Sequence, residues 1–354
     1  MCTARINREK FITRNNQYAQ LFHCKLKFQR KYDKAIATLL KIMNTPLISI
    51  CIPAYKRPDC LIRLLNSINE QTYKQYEIII TDDTPGDEIR RVLEQFTHLP
   101  IQYYSNDPAL GSPGNWNSTM TKANGDWIQL LHADDWYSSP TSLQHFVTII
   151  TEGNSDFIFC ASKEINLAAN RIKIMELTEK KRQLLDDSPI NLLFDNVIGH
   201  PSTVIHKKDN AIQYDSDFKW VVDIDFYIRY LQQHGGYSYI HAPMINIGMD
   251  TEQVSEGSYK NPFVEIPEYL NLFTKFPETL ARTNKYAFHC LWNLIRKFNI
   301  KDEAYIREHG YHGKMVQGVA DIINYQKKIP RIILKQTNWS EYFMNKCYKK
   351  FSKK

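Results

Sequence analysis

"LISICIPAYKRPDCLIRLLNSINEQTYKQYEIIITDD", residues 47–83, decides the fold. It opens on an apolar, β-branched run (47–55) that ends in Pro-Ala-Tyr. Leu61, Leu64, Leu65 and Ile68 then recur at helical spacing and predict a helix over 57–71. The stretch closes on YEIIITDD (76–83), a second continuous apolar run stopped by two carboxylates. A strand that is apolar on both sides of its pleat is buried on both faces, and two such strands joined by a helix make a parallel unit. The alternation continues outward with a short helix near 87–96, a strand IQYYSN (101–106) and a helix near 114–123. Further strands are read over DWIQLLHADD (126–135) and DFIFCAS (156–162). The expected fold class is therefore α/β, a mostly parallel sheet flanked by helices. Such sheets bind ligands beyond the carboxyl ends of their strands. Three polar clusters fall there: Pro53–Tyr55, Asp82–Asp83 and Asp134–Asp135.

After about residue 163 the pattern loosens. FKWVVDIDFYIRYLQQHGG (218–236) reads as a helix stopped by Gly235 and Gly236, and residues 256–354 read as largely helical and rich in aromatics. Hydrophobic residues at 43% and charged residues at 23% are ordinary for a soluble globular protein. Seven cysteines with no CxxC pair indicate neither a zinc site nor a disulfide framework, which favours a reducing compartment. No apolar run approaches the ~20 residues of a membrane span, and no signal peptide is visible.

The net charge of +7 is unevenly placed. Residues 1–43 carry 10 Lys/Arg against 2 Asp/Glu, and residues 327–354 carry 9 against 1. The 283 residues between carry 26 against 35. An acidic body with two basic ends is not the broad basic face of a nucleic-acid binder. It suits a body that handles metal cations and ends that touch an anionic surface.

Each cluster has two readings. Adjacent carboxylates after a buried strand, Asp134 and Asp135, suit a divalent cation such as Mn²⁺ or Mg²⁺ on a diphosphate, or, as the plainer reading of this short motif alone, a helix N-cap. Asp82 and Asp83 suit hydrogen bonds to a base or ribose, or a turn built by DDTPGDE. Asp223 and Asp225, two apart on a helix, cannot both face a crevice. A base candidate there would draw a raised pKa from Trp220, Val221, Val222 and Phe226. His200 and His206, in GHPSTVIHKK (199–208), are read as structural.

The order of these pieces resembles the family 2 glycosyltransferases of the GT-A fold. The matching residues are ISICIPAYKR, IIITDDTP, NDPALGSPGNWNSTMTKANGDWI and the metal motif LLHADDW, between about Leu47 and Ser255. The resemblance implies a nucleotide pocket lined by Pro53, Ala54 and Tyr55, with Asp82 or Asp83 on the base and Asp134 facing the sugar-nucleotide. It implies Asp135 as a metal ligand, Asp223 as catalytic base, and Mn²⁺ or Mg²⁺ as cofactor. The expected organisation is a basic N-terminal extension or helix (1–43), a GT-A catalytic domain (44–255) and a helical C-terminal region (256–354). Met43 lies where such domains commonly begin.

The sequence departs from the family pattern in places. Lys56 replaces the usual Asn, Thr84-Pro85 replaces Gly-Ser, and Val222 replaces the common Glu before the base. Asp250 in DTEQVS stands where a His is frequent, and as an oxygen donor it is carried as a further metal ligand. The implied reaction moves a sugar, with inversion, from a nucleotide-sugar to a hydroxyl of a saccharide or lipid-linked saccharide in surface polysaccharide synthesis. The alternatives are a sugar-nucleotide-binding protein without chemistry and a nucleotidyltransferase, although PAYKRPD lacks the latter's Gly-rich loop. Trp339, Phe343, Cys347 and Phe351, every four residues, predict one helical stripe beside Lys346, Lys349, Lys350, Lys353 and Lys354. The expected location is cytoplasmic, with this end peripheral at the anionic inner face of the membrane.

Overall fold

The computed structural model describes residues 45–249 and 257–353. The expectations for residues 1–43, Asp250 and Lys354 lie outside the described residues. Among the described residues nine strands form one sheet: β1 (Ile48–Ala54), β2 (Tyr76–Asp82), β3 (Ile101–Ser105), β4 (Trp127–Leu130), β5 (Trp136–Tyr137), β6 (Phe157–Asn166), β7 (Arg171–Met175), β8 (Val204–Lys207) and β9 (Ser238–Gly248). Their order is β3-β2-β1-β4-β8-β6-β9-β5, with β7 on β6. Helices α1 (Pro58–Asn69), α2 (Glu88–Leu93), α3 (Gly114–Thr121), α4 (Ser142–Glu152), α5 (Glu179–Asp187) and α6 (Val222–His234) are interleaved with the strands.

The half from β3 to β4 is parallel throughout, as the apolar runs require. Beyond β4 the sheet is mixed: β8 runs antiparallel to β4 and β6, while β6 and β9 are parallel. The expectation of a mostly parallel sheet thus describes the first half, and the loosened pattern after 163 marks the change.

One strand was read too long. β4 stops at Leu130, where the run appeared to continue to Asp135. Leu131 still donates its N–H to the Cys51 carbonyl (2.9 Å), but the next N–H, from His132, goes to the Ser202 hydroxyl (3.0 Å). A side-chain acceptor ends the ladder, so His132, Asp134 and Asp135 lie in a loop at the strand end.

Both faces of the sheet are covered. Ile48, Ile50 and Ile52 alternate onto one face with Leu61, Leu64, Leu65 and Ile68 of α1 and Leu143, Phe146 and Val147 of α4. Cys51 and Ile79 point to the other, in a core shared with α6 and the C-terminal helices. Those helices are α7 (Pro262–Thr274), α8 (Leu280–Thr283), α9 (Lys285–Phe298), α10 (Glu303–Glu308), α11 (Val319–Gln326), α12 (Arg331–Leu334) and α13 (Thr337–Phe351). The described cysteines are all buried. No helix among the described residues is long and apolar enough to cross a membrane.

The four-residue stripe of α13 does not stay on one side. Ser340, Met344, Cys347 and Phe351 are buried, whereas Trp339 is 52% exposed. Four residues advance a helix by about 400°, so each step drifts about 40°. Three steps carry the stripe from solvent at Trp339 to the core at Phe351.

Candidate active site

The carboxyl ends of β1 and β2 are closed by their own side chains. The Ala54 carbonyl accepts from the Asp83 N–H (3.0 Å) and Asn115 Nδ2 (3.1 Å). Asp82, fully buried, accepts from the Thr84 N–H and from the Tyr103 hydroxyl, each at 2.8 Å. Asp83 accepts from Asn106 Nδ2 (2.8 Å) and from the N–H groups of Leu110 (3.0 Å) and Gly111 (2.8 Å). Its carboxylate therefore shapes loop 106–111, which turns at Gly111 with φ 67°. Tyr55 is exposed at the same rim.

The next two residues are backbone outliers. Lys56 and Arg57 both adopt left-handed conformations, φ 54° and 59°. Neither is glycine, and such residues cost about 1–3 kcal/mol each where surrounding structure imposes them. The turn brings the Arg57 guanidinium to 3.5 Å from the Asp134 carboxylate, and the Lys56 N–H to the Thr84 hydroxyl at 2.6 Å. Segment 56–57 thus joins the end of β2 to the acidic pair.

Around that pair, ligand atoms of His132, Asp134 and Asp135 all lie within 4.8 Å of one another. Asp134 is partly exposed, and its carbonyl accepts from Arg63 Nη2 (3.0 Å), whose guanidinium lies 4.1 Å from the Trp136 ring. Asp135 is buried and accepts from the Gly248 N–H (3.0 Å). A Cβ at position 248 would meet the Asp134 carbonyl oxygen at 2.5 Å, so only glycine permits this approach. Burial, then the Asp134 charge, push Asp135 well above the usual carboxylate range, against hydrogen bonds from Ser202 and Gly248. Burial lowers His132 to about 4, so its imidazole is neutral. Its Nε2 is buried without a hydrogen-bond partner, and Trp116 packs against the ring at 4.7 Å. Two carboxylates, one poorly compensated, and an orphaned imidazole nitrogen form a donor set that fits a divalent cation.

Asp223 begins α6, as expected of the base candidate. Its carboxylate accepts from the Ile224 N–H (3.0 Å) and Asn196 Nδ2 (2.8 Å). Burial raises it to about 6 in spite of those bonds. It lines a pocket of about 250 Å³ with Glu164, Lys181, Asn196, His200 and Tyr239. His200 feels the charges of both Glu164 and Asp134, which places the acidic pair within electrostatic reach of this pocket.

Asp225 is excluded as a base. It is buried and held by Arg229 (2.6 Å) and Lys275 (2.7 Å). His206 is structural, packed against Phe226 and Tyr230. Sequence reasoning missed Arg57, His132, Asn196, Ser202 and Glu268. His132, Arg57 and Ser202 carried a signal, their places inside LLHADDW, ISICIPAYKR and GHPSTVIHKK, while Asn196 and Glu268 carried none. Glu268, on α7, accepts from the N–H groups of Lys219, Trp220 and Val221 and so holds the segment that leads into the helix carrying Asp223.

Comparison with known proteins points the same way. Residues 49–209 match glycosyl transferase family 2. The amylovoran biosynthesis glycosyltransferase AmsB of Erwinia amylovora is 28% identical over 216 residues, covering 57% of this chain and 70% of the relative. The UDP-Glc:α-D-GlcNAc-diphosphoundecaprenol β-1,3-glucosyltransferase WfgD of Escherichia coli is 27% identical over 125 residues, 35% of this chain and 49% of the relative. The chain thus spans about half the length of the second. Among solved structures, the mannosyltransferase PcManGT of Pyrobaculum calidifontis, in complex with GDP-Man and Mn²⁺, superposes with a TM-score of 0.51 at 13% identity. It covers 87% of this chain and 86% of that one, a likeness of fold.

Proposed function

We propose that this chain, whose residues 49–209 match glycosyl transferase family 2, transfers a sugar from a nucleotide-sugar to an acceptor hydroxyl, with inversion and a divalent cation. The observation that carries this reading is Asp223: a buried carboxyl raised to about 6, at the head of a helix, lining a pocket whose His200 feels the Asp134 charge.

Asp134, Asp135 and His132 would hold the cation. Once bound, it supplies positive charge to a diphosphate leaving group. Arg57, aimed at Asp134, adds a fixed cation at the same edge. Loop 106–111, held by Asp83, and the rim at Pro53–Tyr55 flank the nucleotide. In the pocket, Asp223 takes the proton of an acceptor hydroxyl. The freed oxygen attacks the anomeric carbon as the diphosphate departs from the opposite face, one bond forming as the other breaks. Asn196 and the Ile224 N–H hold the carboxylate oriented through the step.

For the acceptor, the reading is a saccharide or lipid-linked saccharide of surface polysaccharide synthesis, in keeping with the relatives' names. An acceptor on a lipid calls for contact with the bilayer, and the exposed face of α13 supplies aromatic and lysine side chains for it. The decisive experiment incubates the full chain with UDP-, GDP- and dTDP-sugars and Mn²⁺, with and without EDTA, and follows nucleoside diphosphate release. EDTA-sensitive release from one donor class, abolished by Asp223→Asn with donor binding retained, is expected. Failure to bind or turn over any of them overturns the proposal.

A further inference from the structure

We propose that the hairpin of β6 and β7 rests its outer face on an anionic bilayer, beside the Asp223 pocket; that a lipid-linked acceptor enters there rests on the acceptor reading above. In an antiparallel pair, residues opposite one another share a face, as do residues two apart on one strand. Ile172 lies opposite Ile165, and Ile174 opposite Lys163. Met175 lies opposite Ser162, and Lys173 opposite Glu164, with which it pairs at 3.3 Å. Ser162, Glu164 and Met175 line the pocket that holds Asp223. The hairpin is therefore two-faced. A polar face turns to the pocket, and an apolar face of Ile165, Ile172 and Ile174 turns away from it.

The described residues leave that outer face uncovered. Ile172 is 64% exposed, Ile174 58%, and Leu167, at the turn, 57%. Exposed aliphatic side chains gathered in one short segment mark a contact surface, whereas single ones need no explanation. A second copy of the chain fits this surface poorly. Full antiparallel pairing of two β7 strands sets Lys173 against Lys173, and like charges directly opposite destabilise a ladder. A bilayer fits it well. Residues 163–175 carry three Lys/Arg against one Glu, on a body that is acidic, and basic residues are drawn to anionic headgroups. The isoleucines then reach the layer beneath, with the apolar stem of Lys163 alongside and its ammonium kept among the headgroups.

The test reads the alternation of the strand. In the full chain with Cys2→Ser and Cys24→Ser, the remaining cysteines are buried, and one reactive thiol is added by Ile172→Cys, Lys173→Cys or Ile174→Cys. An environment-sensitive fluorophore is attached there. On phosphatidylglycerol vesicles the labels at 172 and 174 should shift to the blue and escape iodide quenching, and the label at 173 should do neither. Ile172→Ser/Ile174→Ser, with circular dichroism and donor binding unchanged, should weaken partition onto those vesicles about ten-fold. Bound protein with no shift at 172 and 174, equal shifts at all three positions, full vesicle binding by Ile172→Ser/Ile174→Ser, or no vesicle binding at all overturns the hairpin's place on the bilayer. None of these outcomes touches the transfer reading, which stands or falls on nucleoside diphosphate release. Failure of that release while the alternation holds leaves the hairpin as a bilayer contact and overturns the acceptor's route.

Discussion

In the proposed reaction the chemistry turns on Asp223, and its titration has two measurable consequences. A base must be deprotonated to act, so kcat/KM should fall as pH drops through about 6. Asp223→Asn should lose roughly 10²–10⁴-fold in kcat with donor affinity near wild type. Collapse of donor affinity would instead put Asp223 in the nucleotide site. Stability follows the opposite sign from an ordinary paired carboxylate. The folded protein holds this proton up to about 6, against an ordinary value of 3.8, so wild type loses stability as pH rises between them. The Asn variant lacks that loss, and its stability relative to wild type should climb by up to about 3 kcal/mol from pH 4 to 7 in urea titrations. A constant difference across that range would mean that Asp223 titrates as a surface carboxylate. Asp134 and Asp135 stood out as candidates because adjacent carboxylates follow an apolar run, whereas Asp223 was singled out from Asp225 by the family resemblance alone. Arg57 was not, since its place depends on two consecutive left-handed residues that neither Gly nor Asn announces. Asn196 was equally hidden, being brought to Asp223 from 27 residues away by the packing of α6.

At the level of elements, α6 owes its fixed start to a residue on another helix. Glu268 of α7 takes three N–H groups from residues 219–221, the segment that leads into α6 and ends at its N-cap, Val221. Glu268→Ala should cost about 1–2 kcal/mol, as the loss of a good cap does, and lower kcat more than it raises the donor KM. Glu268→Gln, which keeps one acceptor oxygen, should recover part of both. Equal loss of donor affinity would show a general disruption rather than displacement of Asp223. At the other edge, Gly248→Ala would press a Cβ onto the Asp134 carbonyl, and it should weaken Mn²⁺ binding about ten-fold while leaving Asp223 titrating near 6. Unchanged Mn²⁺ affinity would mean that the 134–135 loop yields freely. The elements β1, α1 and β2 were legible because their periods are unambiguous. The end of β4 was not, because Leu131 continues the apolar run while a distant Ser202 takes over its ladder. The hold of Glu268 on residues 47–49 positions away leaves no local signature either.

Across the whole molecule, charge and exposed aromatics converge on the C-terminal end. Residues 327–354 carry 9 Lys/Arg and 1 Asp/Glu, while the body between the two basic ends is acidic. The helical character of this region was legible, but its outward face was not, because a four-residue stripe drifts around the helix. Met344, Cys347 and Phe351 pack into the core, and Trp292 donates to the Ser340 hydroxyl at 2.9 Å. What remains outside is Ile332 (73% exposed), Trp339 (52%) and Tyr342 (46%), with Lys335, Lys346, Lys349, Lys350 and Lys353 also exposed. Lys346 lies over the Tyr342 ring at 4.5 Å. Aromatic side chains beside lysines suit the headgroup layer of an anionic bilayer, where ring and charge are satisfied together. The full chain should therefore co-sediment with vesicles containing phosphatidylglycerol and not with phosphatidylcholine vesicles. Raising salt from 50 to 500 mM should release it, since the attraction of surface charges is screened. Truncation is the wrong control, because it would uncover the core that Phe351 and Met344 fill. Lys346→Ala/Lys349→Ala/Lys350→Ala should weaken binding chiefly at low salt, and Trp339→Ala/Tyr342→Ala at all salt concentrations, with thermal unfolding unchanged in both. Equal binding to neutral vesicles, or full binding by both variants, would leave the face of α13 as ordinary solvated surface.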